Sequence, residues 1–363
     1  MSLVLGSVMI STSYESPPDR RAPAATLRRN FFVAALVVPL VLAGCDPPSS
    51  GPETPDPGQR PSISATDRDA SLDAIERWLA AGRADNAERI ARMLAIRLPD
   101  DPMVAATLGQ VLLMRSADLR EIAGEAAASA ISAEAAGMLL MAEQGGRTDP
   151  MTLRSLGLAL ERSGQLDPAI EAYRRAAEGE DALATLYLGL ALLQAERGNE
   201  SVSLLNKLST DRPDDAFVRA ALAEARFRTG DTPGAFADLD EAVRLAPDEL
   251  GIRLRRASLL RRTGNPRMAI ESLVAIPEAD RTQRMVIEEL AASWDSIQRP
   301  ASAAEVWASR ARSVPADVPA ALMAAACFAE AGRPADAEAW LRIAEETSPD
   351  DDAVAAARKR LGL

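Results

Sequence analysis

The sequence predicts an all-α fold, a right-handed α-solenoid of about eight helical hairpins closed by a C-terminal capping helix. Three observations predict it. Of the 363 residues 47% are apolar but only 4% aromatic, and alanine fills the apolar share. Sheet cores need β-branched and aromatic side chains that fit a pleated surface, whereas the long stretches here are rich in the helix formers Ala, Leu, Glu and Arg. The length exceeds what one hydrophobic core usually holds, so several domains or one repetitive array must organise it. The punctuation is periodic. Gly230, Gly264 and Gly332 lie 34 and 68 residues apart, and Pro213, Pro247, Pro315 and Pro349 lie 34, 68 and 34 apart, in constant phase with the glycines. Between them run two amphipathic stretches of about 14 residues each, so helix, glycine turn, second helix and proline stop form one unit. Such a unit cannot bury its apolar face alone and must stack on its neighbours.

Composition also excludes chemistry. The chain has no histidine, which removes Ser-His-Asp and Cys-His nucleophile pairs and every imidazole base or ligand. Cys45 and Cys327 are its two cysteines, too few for a thiolate zinc site or a disulfide framework. A net charge of -12 opposes a general affinity for nucleic acid, whose phosphates are held by clustered cations. No phosphate-cradling G-x-x-x-x-G-K-[ST] loop occurs. The expectation is no catalytic residue, no metal, no cofactor and no nucleic-acid partner.

Taken in order, the first element is an address, residues 1–44. Phe31 to Gly44 is a 14-residue apolar run preceded by Arg28 and Arg29 and ended by Cys45. It is shorter than the roughly 20 residues a membrane-spanning helix needs and has the charged start and apolar middle of a signal peptide. Leu42-Ala43-Gly44-Cys45 resembles the bacterial lipobox. That resemblance implies cleavage before Cys45, acylation of Cys45, and a lipoprotein of the cell envelope facing the periplasm. Asp46 resembles the inner-membrane retention signal of enteric bacteria, which favours the inner membrane where that rule applies. Arg28-Arg29-Asn30-Phe31-Phe32 resembles a twin-arginine export motif, but paired arginines also open ordinary signal peptides, so both routes stay open. Each buried CH₂ of an acyl chain contributes about 0.8 kcal/mol, and two or three chains give stable anchoring.

Residues 45–66 read as an acylated cysteine followed by a tether dense in Pro, Ser and Gly. Without apolar periodicity such a stretch cannot offset its ordering entropy, so it should be an extended spacer that gives reach.

From 67 to 363 the hairpins recur. The clearest are residues 153–179 and 217–247, with small residues where helices must touch closely: Gly157, Ala169 and Ala176 in one, Ala223, Ala235 and Ala242 in the other, and Ala325, Ala337 and Ala344 in the unit from 318. In these residues the array resembles the tetratricopeptide repeat, whose eighth, twentieth and twenty-seventh positions are small. Eight units begin near 68, 102, 150, 182, 216, 250, 284 and 318. The unit at 102 departs from the pattern: Ser116 stands where the turn glycine belongs, and Pro99 to Pro213 spans 114 residues, three repeats plus 12. An irregular stretch is expected around 116–149. In the unit at 182 the glycine comes late, at Gly198, with Ser201 in the small position. The residues after Asp351 read as the terminal cap.

The resemblance implies a concave groove lined by positions 2, 5, 9, 12 and 13 of each first helix. Those positions carry Arg154 and Arg162, then Leu186, Leu190 and Leu193, then Phe217, Phe227 and Arg228, then Leu254, Arg261 and Arg262. An apolar centre with basic edges suits a protein or peptide partner of acidic character, with Leu190, Leu193, Phe227, Arg228, Arg261 and Arg262 as its groove. The asparagines of the family's carboxylate clamp are missing there. Two readings stay open for the arginine-rich stretch 249–271: a binding surface, or pairing with acids such as Glu224, Asp238 and Glu241. Leu190 and Phe227 equally fit groove or inter-repeat core. The function expected is a non-catalytic, lipid-anchored scaffold or adaptor in envelope assembly, secretion or biogenesis. The alternative is a carboxylate-dependent cell-wall enzyme such as a peptidoglycan-cleaving lipoprotein, although the Glu-Ser and Gly-Leu-Met-Gln-like signatures of lytic transglycosylases do not occur.

Overall fold

The computed structural model describes residues 63–349 and 351–362. The expected signal peptide, with Arg28, Arg29, Leu42, Ala43 and Gly44, lies outside the described residues, as do Cys45 and all but the end of the tether.

Eighteen helices and no strand make up the described chain. They alternate as first and second helices of hairpins: Ala65–Ala80 (α1) with Ala84–Arg97 (α2), Pro102–Ala123 (α3) with Glu125–Gln144 (α4), and Pro150–Arg162 (α5) with Leu166–Glu178 (α6). Ala182–Gln194 (α7) pairs with Gly198–Asp211 (α8), Ala216–Arg228 (α9) with Thr232–Leu245 (α10), and Leu250–Arg262 (α11) with Pro266–Val274 (α12). After the single turn Glu278–Arg281 (α13) come Arg284–Asp295 (α14) with Pro300–Ser313 (α15), Val318–Glu330 (α16) with Pro334–Thr347 (α17), and the cap Asp352–Leu361 (α18). Helices pack on their chain neighbours, except that α12 packs on α14 across the single turn α13, and α5, α7, α9 and α11 also pack first helix on first helix. That nearest-neighbour pattern defines a tetratricopeptide-like solenoid.

The small positions do what the repeat requires. Ala169, Ala176, Ala223, Ala235, Ala242, Ala325, Ala337 and Ala344 are all buried, and at Gly157 the ring of Tyr173 fills the space a Cβ would need, with Tyr173 Cδ1 2.5 Å from that point. Ser201 is fully buried and its hydroxyl donates to the carbonyl of Gly189 at 2.7 Å, so the polar substitute is satisfied within its own hairpin. The proline stops also hold: Leu98, Arg212, Ala246, Val314 and Ser348 end their helices with ψ between 64° and 82°, outside the α region that the proline following each disfavours.

Three departures from expectation appear. Helix α1 begins at Ala65, capped by the Ser64 hydroxyl on the Asp67 amide, so the solenoid starts two residues earlier than 67. The stretch 116–149 is helical to Gln144: α3 runs through Ser116 to 22 residues, turns at Gly124 and returns as the 20-residue α4. The extra residues lengthen a regular hairpin rather than distort one. Ser116 is buried there, donating to the Leu113 carbonyl at 2.8 Å. In the unit at 250 the second helix stops at Val274, because Pro277 falls four residues ahead of the register; Ile276 buries itself in the gap and α13 completes the span.

Candidate partner groove

Positions 2, 5, 9, 12 and 13 share one helix face, since position 13 lies 11 residues, about three turns, beyond position 2. Its floor is partly closed. Leu186 and Leu193 are buried and serve the inter-repeat core, whereas Leu190 and Phe227 are half-buried and reach the surface.

The basic edge is engaged with the protein itself. Arg162 donates to the Leu113 carbonyl at 3.1 Å and to the Ser116 hydroxyl at 3.2 Å. Gln194 donates to Glu161 at 2.5 Å, Arg228 to the Leu193 carbonyl at 3.2 Å, and the Arg262 guanidinium lies 4.3 Å from the centre of the Phe227 ring. In every case residue 13 of one unit reaches back to residue 12 of the unit before. This ladder staples four successive first helices to their predecessors. Arg261 points the other way, forming a two-pronged pair with Glu289 of α14 at 2.7 and 3.2 Å. Arg154 holds Asp181 at 2.6 Å, and Asp181 caps α7 by accepting from the Ala184 amide.

The stretch 249–271 pairs largely with neighbouring units. Arg256 meets Asp240 at 2.7 Å, Arg253 donates to the Pro247 carbonyl, and Arg262 joins Arg228 on Glu224 at 3.7 and 2.8 Å. Asp238 and Glu241 pair instead with arginines outside that stretch: Asp238 with Arg226 and Arg219, Glu241 with Arg244. Burial pushes the Asp238 carboxyl up, opposed by Arg226 and Arg219. Arg255 has no ion pair among the described residues, and burial lowers its pKa, with the Glu224 charge opposing. Burial likewise lowers that of Arg162, with Arg120 adding to the effect.

Charge along the face reverses. Across the units from 150 to 262 the groove positions hold five arginines and two glutamates; across those at 284 and 318 they hold Glu288, Asp295 and Glu330 and no cation. Burial and the charge of Glu330 push the Asp295 carboxyl up.

Sequence reasoning missed two periodic features. Position 2 carries Met103, Met151, Leu183, Phe217 and Met285, all exposed between 37% and 52%. Phe217 alone was mapped, although the same register finds the others. The second is a row of aspartates one residue before the first helices: Asp101, Asp149, Asp181, Asp215 and Asp317 each accept backbone amides of the first turn. Asp before an apolar-periodic run is a helix-start signal.

No family model matches this chain, and no curated protein does. Solved structures resemble it. A thermophilic tetratricopeptide repeat protein of Thermus thermophilus shares 20% identity over 49% of this chain and 98% of its own, with a TM-score of 0.42. One from Parabacteroides merdae shares 14% over 70% and 99%, with a TM-score of 0.44. YrrB, described as a tetratricopeptide protein with an unusual peptide-binding site, shares 16% over 52% and 99%, with a TM-score of 0.37. What they have in common with this chain is the repeat fold.

Proposed function

We propose that this chain is a non-catalytic scaffold of a bacterial envelope, anchored by acyl chains on Cys45, facing the periplasm, and binding a protein or peptide in the groove of its units from 150 to 283. The observation that carries the reading is the row of exposed apolar side chains at position 2 beside the half-buried Leu190 and Phe227. Apolar surface left open in register over successive repeats is what an elongated partner needs, because it contacts several units at once. The anchor rests on Leu42-Ala43-Gly44-Cys45, and the tether supplies reach from the membrane; Asp46 favours the inner membrane under enteric sorting rules.

A photocrosslinking residue at Leu190, in native membranes, should capture a specific protein; failure to capture any partner there and at Phe227 sinks the scaffold reading. Cys45→Ala should abolish labelling by a fatty-acid analogue and shift the protein out of the membrane fraction. Unchanged partition together with an unlabelled native protein would remove the anchor.

A further inference from the structure

The groove face carries two parallel stripes. At one edge lie the exposed Met151, Leu183 and Phe217 of position 2, and at the other the position-13 cations Arg162, Arg228 and Arg262, interrupted by the neutral Gln194 in the unit at 182. Eleven residues separate the edges, about 16 Å of helix rise, and an α-helix with its side chains is about 10–12 Å wide. One helix therefore fits between the stripes, along the solenoid, with one flank on each. We infer that the groove takes a partner's amphipathic helix with one apolar and one acidic flank, an inference that rests on the scaffold reading above.

The length follows from packing. Adjacent first helices lie about 8–10 Å apart, so the three steps from the Arg162 row to the Arg262 row cover roughly 30 Å, the length of about 20 helical residues. Charge fixes the acidic flank. Arg228 and Arg262 share the single carboxylate Glu224 with Arg255 beside it, and Arg162 contacts a carbonyl and a hydroxyl but no carboxylate. These guanidiniums retain donors for further carboxylates, since each has five. Charge also fixes where the acidic flank ends. Asp295 and Glu330 occupy positions 12 and 13 of the last two units and repel an acidic continuation, so the partner turns neutral or basic beyond the Arg262 row.

The test uses the full-length chain in detergent and three labelled synthetic 20-residue peptides: a leucine-and-glutamate amphipathic helix, its leucine-and-lysine counterpart, and a scrambled glutamate peptide of equal composition. By fluorescence anisotropy at low salt, the glutamate helix should bind at least about tenfold tighter than either control, the order of discrimination a few well-placed charges and anchors give. The double variant Arg228→Glu, Arg262→Glu should invert the preference between the glutamate and lysine helices, a gain that unfolding cannot produce. Equal binding of the glutamate and lysine helices, or of the scrambled peptide, overturns the inference. So does a folded double variant that loses the glutamate helix without gaining the lysine one, which would leave the arginines as staples between repeats. A captured partner whose segment at Leu190 is neither helical nor acidic would overturn this inference and leave the scaffold reading standing.

Discussion

Gln298 sits at φ +56° in the turn of its hairpin, where Gly164, Gly230, Gly264 and Gly332 occupy the corresponding turns of other units. A side chain in the left-handed region costs roughly 1–2 kcal/mol, and glycine recovers this less roughly 0.5–1 kcal/mol of added chain entropy. Gln298→Gly should therefore stabilise by about 0.5–1 kcal/mol in denaturant unfolding, whereas Gln298→Val should destabilise. The glycine series skips from 264 to 332 for this reason: the conformation persists at 298 and the glycine does not, so the sequence shows the period but not each turn. Gly157 is the opposite case. Its neighbour Tyr173 is fully buried and its hydroxyl donates to Glu161 at 2.8 Å, so the ring cannot yield to a new methyl. Gly157→Ala should cost about 1–3 kcal/mol by overpacking. Cys327 offers a pH reading. Burial, then the charges of Asp295 and Glu330, push its thiol up from 9.0 to about 11. A raised folded pKa means that its contribution to stability is fully present below about pH 9 and is lost as pH rises through about 11. Cys327 should resist thiol reagents at pH 8 until the chain unfolds; fast labelling of the native protein would contradict its burial.

At the level of the element, helix starts were legible because apolar periodicity and proline stops mark them, and first helices begin at 102, 150, 182, 216, 250, 284 and 318 as the spacing predicts. Length was less legible. Nothing between Ser116 and Ala123 breaks a helix, so α3 continues past the point where a glycine would have turned it, and the Ala-rich stretch beyond Gly124 has the propensity to match it as α4. The aspartate caps explain why first helices start so regularly. Asp181 accepts from the Ala184 amide and is itself held by Arg154 from the preceding unit. Asp181→Ala should therefore remove a cap and a joint between repeats, costing about 1–2 kcal/mol. Glu249 and Gln283 occupy the same position in the units at 250 and 284 without capping through their side chains. Glu249→Asp should gain about 0.5–1 kcal/mol, because the shorter side chain reaches the first-turn amides.

At the scale of the whole array, the shared helix face of the candidate groove positions was legible, and what their side chains touch was not. The repeat resemblance implies positions 2, 5, 9, 12 and 13, and helix periodicity puts them on one face, but whether Arg262 projects into solvent or lies over Phe227 depends on the offset between units, which no local pattern encodes. The same offset divides the core. One cluster runs from Ile75 to Leu192, a second from Ala216 to Leu259, a third from Ala257 to Leu290 and a fourth from Ile287 to Val354. The first joins the long α3–α4 hairpin to its neighbours on both sides. The third draws only Ala269, Ile270 and Leu273 from the nine-residue α12, with Ile276 beyond it, and nothing from the single turn α13, which buries no residue. In a linear array stability is a sum of unit and interface contributions, so a short element with little buried surface opens first. Hydrogen exchange should accordingly be slowest in α3 to α7 and fastest, away from the ends, across α12 and α13. Limited proteolysis should nick first between 275 and 283. Uniform protection along the chain, or an opening that starts in the long hairpin, would mean that the repeats melt as one cooperative body and that the break at Pro277 carries no weakness.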